Sequence, residues 1–197
     1  MRADAAVELR LGREILAASA GEVQFTERGV SGPAVFDVSR AASVCGAGSV
    51  ICFDFFRGRD DAELLAMLRA RRGAMPELEA GELLYGMLHN RLGRMCVKYA
   101  ALSGAAPIGT LSDAELRRVL AVCRDFRLEL RGAAGFDAAQ VTAGGVSTAD
   151  FDPETLQSRL VPGLYACGEV LDIDGDCGGY NLQWAWASGA LAGRLER

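Results

Sequence analysis

Apolar and polar positions alternate at the start of the chain. Ala5, Val7, Leu9 and Leu11 fall on one side, and Ala6, Glu8 and Arg10 on the other. That is the period of a half-buried strand. Gly12 ends the run. Residues 14–19 and 22–26 are two further short strand candidates, divided by Gly21. Three glycine-punctuated runs predict a piece of antiparallel β structure. Ser31-Gly32-Pro33 then predicts a helix start, with serine as the cap and proline in the first turn, where its missing N–H costs nothing. This helix should run to about Val44, and residues 49–55 form a strongly apolar strand candidate.

The middle of the chain changes to a helical period. Asp60 and Asp61 precede an amphipathic run carrying Leu64, Leu65, Met67 and Leu68. Residues 77–101 place Leu78, Leu83, Leu84, Met87, Leu88, Leu92, Met95 and Val97 mostly at helical spacing, with Gly86 and Gly93 as potential breaks into two helices. Ser112 and Glu115 read as a capping box, and the helix behind them buries Leu116, Val119, Leu120 and Cys123. Residues 126–130 alternate again and predict a strand. Core packing accounts for all of these apolar stripes.

From about Phe136 glycine clusters, aspartate becomes frequent and apolar runs shorten. Residues 141–146 predict a strand carrying the Gly144-Gly145 doublet, where a backbone can come close to a flat ligand or to another backbone. Asp152-Pro153 starts a turn. Residues 163–167 predict a short buried strand. No repeat is visible at periods of 20 to 50 residues.

Composition narrows the picture. The 197 residues carry a net charge of −5, which argues against nucleic acid or an anionic membrane as partner. No window approaches the length of an uncharged apolar membrane span. The residues after Met1 lack the apolar core of a secretory signal. Six cysteines in a chain with a large core, none in a Cys-x-x-Cys pair, point to reduced thiols in a cytoplasm. The single histidine, His89, sits in a helical stretch and reads as a structural residue. No Gly-x-Ser-x-Gly elbow is present.

The segment 163–193 holds the candidate chemistry. It runs from an apolar strand through Gly168-Glu169, an acidic loop and Gly178-Gly179 into a helix. A carboxylate just past a buried strand can accept hydrogen bonds from ribose or ribityl hydroxyls. A glycine doublet before a helix lets backbone N–H groups face a ligand oxygen. Ala185, Gly189 and Gly193 form a small-residue stripe, while Trp184 and Trp186 fall on different faces. Two other readings compete. Asp172, Asp174 and Asp176 imitate the start of a calcium loop, but Cys177 and Gln183 occupy the positions that need glycine and glutamate. A plain structural turn rich in Asp and Gly is the other.

Residues 163–193 closely resemble the C-terminal flavin-binding signature of the BaiN/RdsA and aminoacetone-oxidase-like family of FAD-dependent oxidoreductases. Residues 21–40 (GEVQFTERGVSGPAVFDVSR), 136–148 (FDAAQVTAGGVST) and 152–165 (DPETLQSRLVPGLY) resemble the same family in the same order. The generic Gly-Glu, glycine doublet and Asn are also similar to the wider fumarate-reductase-like flavoproteins. The resemblance implies FAD as cofactor, NAD(P)H as electron donor and a small organic molecule as substrate. It implies that Glu169 and Asp172 receive the ribityl hydroxyls, with Gly168 among the cofactor-binding positions. The N–H groups of Gly179, Tyr180 and Asn181, behind Gly178, would face the pyrimidine edge of the ring. Thr142, Gly144 and Gly145 would line the isoalloxazine. Cys177 lies near the ring in sequence but reads better as a small filler. Tyr180 is a candidate proton donor, and no metal is implied.

One departure qualifies the match. Family members open with a Gly-x-Gly-x-x-Gly turn that holds the pyrophosphate. The nearest candidate here, Gly46-Ala47-Gly48, has Ile51 where the third glycine belongs and reads as a β-turn. The fold class expected is therefore α/β in a partial form. Residues 1–135 would be an insert domain, with β-barrel strands over 1–56 and helices over 57–125. Residues 136–197 would be the C-terminal portion of a Rossmann-like FAD-binding domain. The chain would be one part of an oxidoreductase, assembling with a separate N-terminal Rossmann half, or a fragment with no activity alone.

Overall fold

The computed structural model describes residues 1–194 as two compact units, Met1–Gly132 and Ala133–Arg197. The first unit is built on a five-stranded antiparallel sheet. Its strands are β1 (Arg2–Leu11), β2 (Glu14–Phe25), β3 (Val30–Ser31), β4 (Val50–Asp54) and β5 (Phe126–Glu129), in the order β3-β2-β1-β4-β5. The alternation read from the sequence holds through Leu9, and a register shift between Leu9 and Arg10 leaves Leu11 exposed. Ala5, Val7 and Leu9 are buried, and the register sets Val7 opposite Phe53 and Phe53 opposite Phe126. Phe25, Phe53, Phe55 and Phe126 form one aromatic cluster, with the Phe25 and Phe53 ring centres 5.2 Å apart. The other face carries Glu8, Arg10, Asp54 and Arg127, so the sheet has one wet side, as antiparallel sheets permit.

Two strand expectations need correction. The runs 14–19 and 22–26 are one strand, because Gly21 stays in the ladder opposite Ala5 and does not break it. The helix that follows, α1 (Pro33–Cys45), has proline in its first turn as expected, but its cap is Gly32 and no side chain caps it. Ser31 is occupied in β3, paired with Gln24. Gly32 has φ 108°, and a Cβ there would stand 2.6 Å from the Glu22 carbonyl oxygen. Glycine is required by this close approach of the strand and the helix start.

Three more helices complete the first unit: α2 (Asp61–Ala74), α3 (Asn90–Tyr99) and α4 (Asp113–Arg124). The Asp60 side chain caps α2 by accepting from the Glu63 N–H at 2.9 Å. Ser112 and Glu115 form the reciprocal capping box of α4. Residues 77–101 are not the long helix that their spacing suggests. A short 3₁₀ turn over Ala80–Glu82 and further turns precede α3. Gly86, at φ 75°, lies within these turns, which run on through Met87, whereas Gly93 lies inside α3 against Leu84. His89 stands at the cap of α3 and accepts from the Arg91 N–H, just outside the helix it was expected to join. Arg124 ties the layers together, bonding Asp54 on β4, Asp61 on α2 and the carbonyl oxygen of Phe56.

Among its described residues the second unit holds one α-helix, α5 (Tyr180–Ala192), and short 3₁₀ turns. Its core is small: Phe151, Leu156 and Leu171, with Ala166, Trp184, Leu191 and Ala192 against them. Among its described residues no strand forms. The strands expected over 141–146 and 163–167 are absent. Val146 makes a single bridge to Leu171, and Tyr165 a single bridge to Gln157. Leu164 is exposed and Cys167 is exposed, so the second segment is not buried either. A strand needs a ladder on at least one edge, and these segments meet only isolated partners.

Candidate functional site

All ten positions read from the sequence as cofactor-binding lie in the second unit, in the segments 142–145, 168–172 and 178–181. Hydrogen bonds join the first two of these segments. The Val146 N–H donates to the Val170 carbonyl at 2.8 Å, and the Asp172 N–H donates to the Val146 carbonyl at 2.9 Å. Gly145 lies against this bridge. A Cβ there would stand 2.6 Å from the Val170 oxygen and 2.8 Å from the Leu171 carbonyl carbon. Packing of the chain on itself thus accounts for glycine at 145. Gly144, at φ 92°, has open space where a side chain would be. Thr142 is exposed, on irregular backbone.

Gly168–Val170 forms a 3₁₀ turn, and α5 holds it at two points. The Gly168 N–H donates to Ser188 Oγ at 2.9 Å, and Trp184 Nε1 donates to the Gly168 carbonyl at 3.1 Å. Ser188 Oγ in turn donates to the Trp184 carbonyl at 2.6 Å. Ser188 is buried and Trp184 half-buried. Ser188 was not singled out from the sequence, and Trp184 was read there only for its helix face. Their spacing of four residues, which sets both on one helix face, was the available signal. Glu169 stands exposed on the turn, and Asp172 is exposed just past the bridge.

The third segment is the start of α5. Gly178 and Gly179 have φ 134° and 97°, and no side chain caps the helix. The first N–H groups of a helix have no partner within it, and the aligned peptide dipoles make that end electropositive. Tyr180 is exposed at this end. The Asn181 side chain instead serves the acidic loop, accepting from the Gly175 N–H at 2.9 Å and donating to the Gly175 carbonyl at 2.8 Å. Trp186 is exposed while Trp184 faces inward, so the two indoles do not share a face. Cys177 is exposed. Among the described residues no group of three or more His, Cys, Asp or Glu side chains could hold a metal ion, and no helix is long and apolar enough to cross a membrane.

The chain is a mixed α/β protein whose second unit carries a 3₁₀ turn, an acidic loop and a glycine-led helix, and a family model matches most of it. The model described as "HI0933-like protein Rossmann domain" matches residues 12–195, and the chain belongs to this family. It is 37% identical over 197 residues to the 3-dehydro-bile acid delta(4,6)-reductase of Clostridium scindens, covering 98% of this chain and 48% of that protein. It is 35% identical over 167 residues to the ribosomal RNA dihydrouridine synthase of Escherichia coli, covering 83% and 39%. The Haemophilus influenzae protein of the same name is 29% identical over 167 residues, covering 85% and 40%. The chain thus spans about half the length of the first relative and about two fifths of the others.

Proposed function

We propose that this chain forms the C-terminal part of an FAD-dependent oxidoreductase that uses NADH or NADPH to act on a small organic substrate. FAD, when bound, supplies the two-electron chemistry between nicotinamide and substrate. In this reading residues 1–135 are an insert domain, a partial β-barrel followed by helices, and residues 136–197 belong to the Rossmann-like FAD-binding domain. Family membership and the motif resemblance over 163–193 support the flavin. The observation that carries the reading is the uncapped start of α5 behind two left-handed glycines, in the same unit as the Gly168 turn and the Val146 bridge.

The chain's residues divide the work of holding that group. The carboxylates of Glu169 and Asp172 accept hydrogen bonds from ribityl hydroxyls, and both are exposed. The N–H groups of Gly179, Tyr180 and Asn181 face the pyrimidine edge. There the positive end of α5 favours negative charge. Thr142 and Gly144 line the ring, and Gly145 sets their position through its contact with residues 170–172. Tyr180 is the candidate to hold a proton at its phenol oxygen.

The test is retention of visible flavin absorbance after desalting. FAD is mixed with the full chain, alone and with the remaining length of the Clostridium scindens relative supplied as a separate polypeptide. The combined sample should stay yellow and bleach under NADH or NADPH without oxygen. Glu169→Ala should weaken FAD binding by about 10- to 100-fold, the worth of a hydrogen bond to a charged group. A colourless sample, or unchanged affinity in the variant, overturns the assignment. Turnover of a 3-dehydro bile acid against ribosomal RNA, in the bleaching sample, separates the activities named for the relatives.

A further inference from the structure

We infer that the outer face of α3 is a docking surface for an acidic segment of another protein. The chain holds 26 aspartates and glutamates, yet residues 83–112 contain none. The arginines and lysine of that span are Arg91, Arg94 and Lys98, and all three lie on α3. Arg91 and Lys98 are two helical turns apart with Arg94 between them, so they share one face. Met95 and Tyr99 stand on the same face, 37% and 50% exposed. The opposite face packs into the core through Leu92, Cys96 and Val97. Arg94 leans back on the preceding turns, donating to the Tyr85 hydroxyl at 3.0 Å and standing 3.7 Å from the Glu82 carboxylate. Arg91 and Lys98 are exposed and make no ion pair among the described residues. Lys98, in the last turn, suits the helix dipole. Arg91 does not. It lies in the first turn, where the positive end of the dipole opposes a cation, and no acidic residue in that turn offsets it. A residue that works against its own element is expected where contact with something else decides the position.

The side chains of this face select the occupant. Arginine, methionine and tyrosine are the types that protein interfaces gather. Cations with no anions among them call for carboxylates on the partner, which fixes its charge and its register. A lipid surface fits less well. The Tyr99 ring is held 4.9 Å from that of Phe126 and Met95 is mostly covered, so neither reaches into hydrocarbon. A nucleic-acid strand calls for a longer basic track, and the chain as a whole carries a charge of −5. Ten residues make a helix about 15 Å long, so the contact is small and of the transient kind. None of the positions assigned to the flavin lies on α3, and the inference stands apart from that reading.

The probe is a fluorescein-labelled helical peptide with glutamates at i, i+3 and i+7 and a leucine between them. It is titrated into the full chain without FAD and followed by anisotropy. Binding should saturate, and it should weaken as added salt shortens the screening length below about 10 Å. Arg91→Glu with Lys98→Glu should weaken it at least about 10-fold, as two exposed charge pairs turn from attraction to repulsion. Both side chains are exposed, so the circular dichroism of this variant should match the native chain. The decisive arm exchanges the charges. The same peptide with lysines in place of its glutamates should bind the reversed variant at least about 10-fold more tightly than the native chain. No binding of the acidic peptide, equal binding by the variant, or failure of the exchange overturns the inference. Tighter binding of an oligouridylate or of phosphatidylserine vesicles than of the peptide overturns it as well. So does loss of peptide binding when the remaining length of the Clostridium scindens relative is added, because the face would then be internal to a longer protein.

Discussion

Gly145 shows how a single residue can be read two ways. A glycine doublet before an acidic loop suggests room for a ligand, and the structure fills that room at one of the two positions with the backbone of residues 170–172. Gly145→Ala should therefore destabilise the second unit by about 1–3 kcal/mol, the range for forced overpacking. Gly144→Ala should instead cost about 1–2 kcal/mol through its left-handed backbone, with no clash. Urea unfolding followed by tryptophan emission checks both, and a neutral Gly145→Ala would remove the packing account. Sequence pattern made the doublet visible but could not say which glycine touches the chain, because that depends on a partner 25 residues away. A second residue-scale expectation concerns pH. The Arg127 guanidinium bonded to Asp125 holds its carboxyl below the usual range, against the partial burial that would raise it. A depressed folded pKa contributes stability that is complete above the unfolded value of about 3.9. The contribution disappears as pH falls through the folded value. The urea midpoint should drop as pH falls below about 4, and Asp125→Asn should make that drop smaller. An equal drop in the variant would assign the pH dependence to other carboxylates.

At the scale of elements, local signals succeeded where the element's own residues decide it. The α4 capping box was legible because Ser112 and Glu115 satisfy each other's backbone within one turn. Ser112→Ala should lower stability by about 0.5–2 kcal/mol, and chemical denaturation of the full chain measures it. The run over 77–101 was misread because apolar spacing alone does not distinguish a helix from a series of turns with the same buried side chains. Here backbone bonds from Ala80 to Ala106 and from Gly81 to Gly104 draw the chain into a turn. The strands expected over 141–146 and 163–167 failed for a related reason. Their composition suits strands, yet strand formation belongs to a ladder, and residues 133–194 provide only isolated bridges. Helix α5 was legible from its glycine doublet, while its grip on the Gly168 turn was not. Ser188→Ala removes the acceptor of the Gly168 N–H and leaves that group without its bond. The variant should unfold at lower urea by about 1–3 kcal/mol. Its tryptophan emission should shift to the red as the Trp184 indole loosens, and an unchanged spectrum would show that the turn holds without α5.

Across the whole molecule the two units differ in what they bury. The first unit closes a continuous core between one sheet face and four helices. The second has three buried apolar side chains and a larger share of exposed ones. The sequence showed this division as a change of composition, with glycine and aspartate replacing the apolar periods. It did not show how little of the second unit would be covered, since burial depends on what else is present. Unequal cores predict unequal resistance to proteolysis. Cleavage follows local opening, and opening is easiest where few apolar contacts hold the backbone. Arg131 is exposed, lies just past β5, and belongs to no regular element. Brief trypsin treatment of the full chain should cut there first and leave a resistant product ending at Arg131. Arg159 and Arg194 in the second unit should follow well before the arginines of α2 and α4, several of which are held by Asp113, Asp61 or backbone carbonyls. Mass spectrometry of the early products decides the order. First cuts inside α2 or α4 would mean that the helices of the first unit open more easily than the segment between the units. They would also remove the stability difference on which the contrast between the two cores depends.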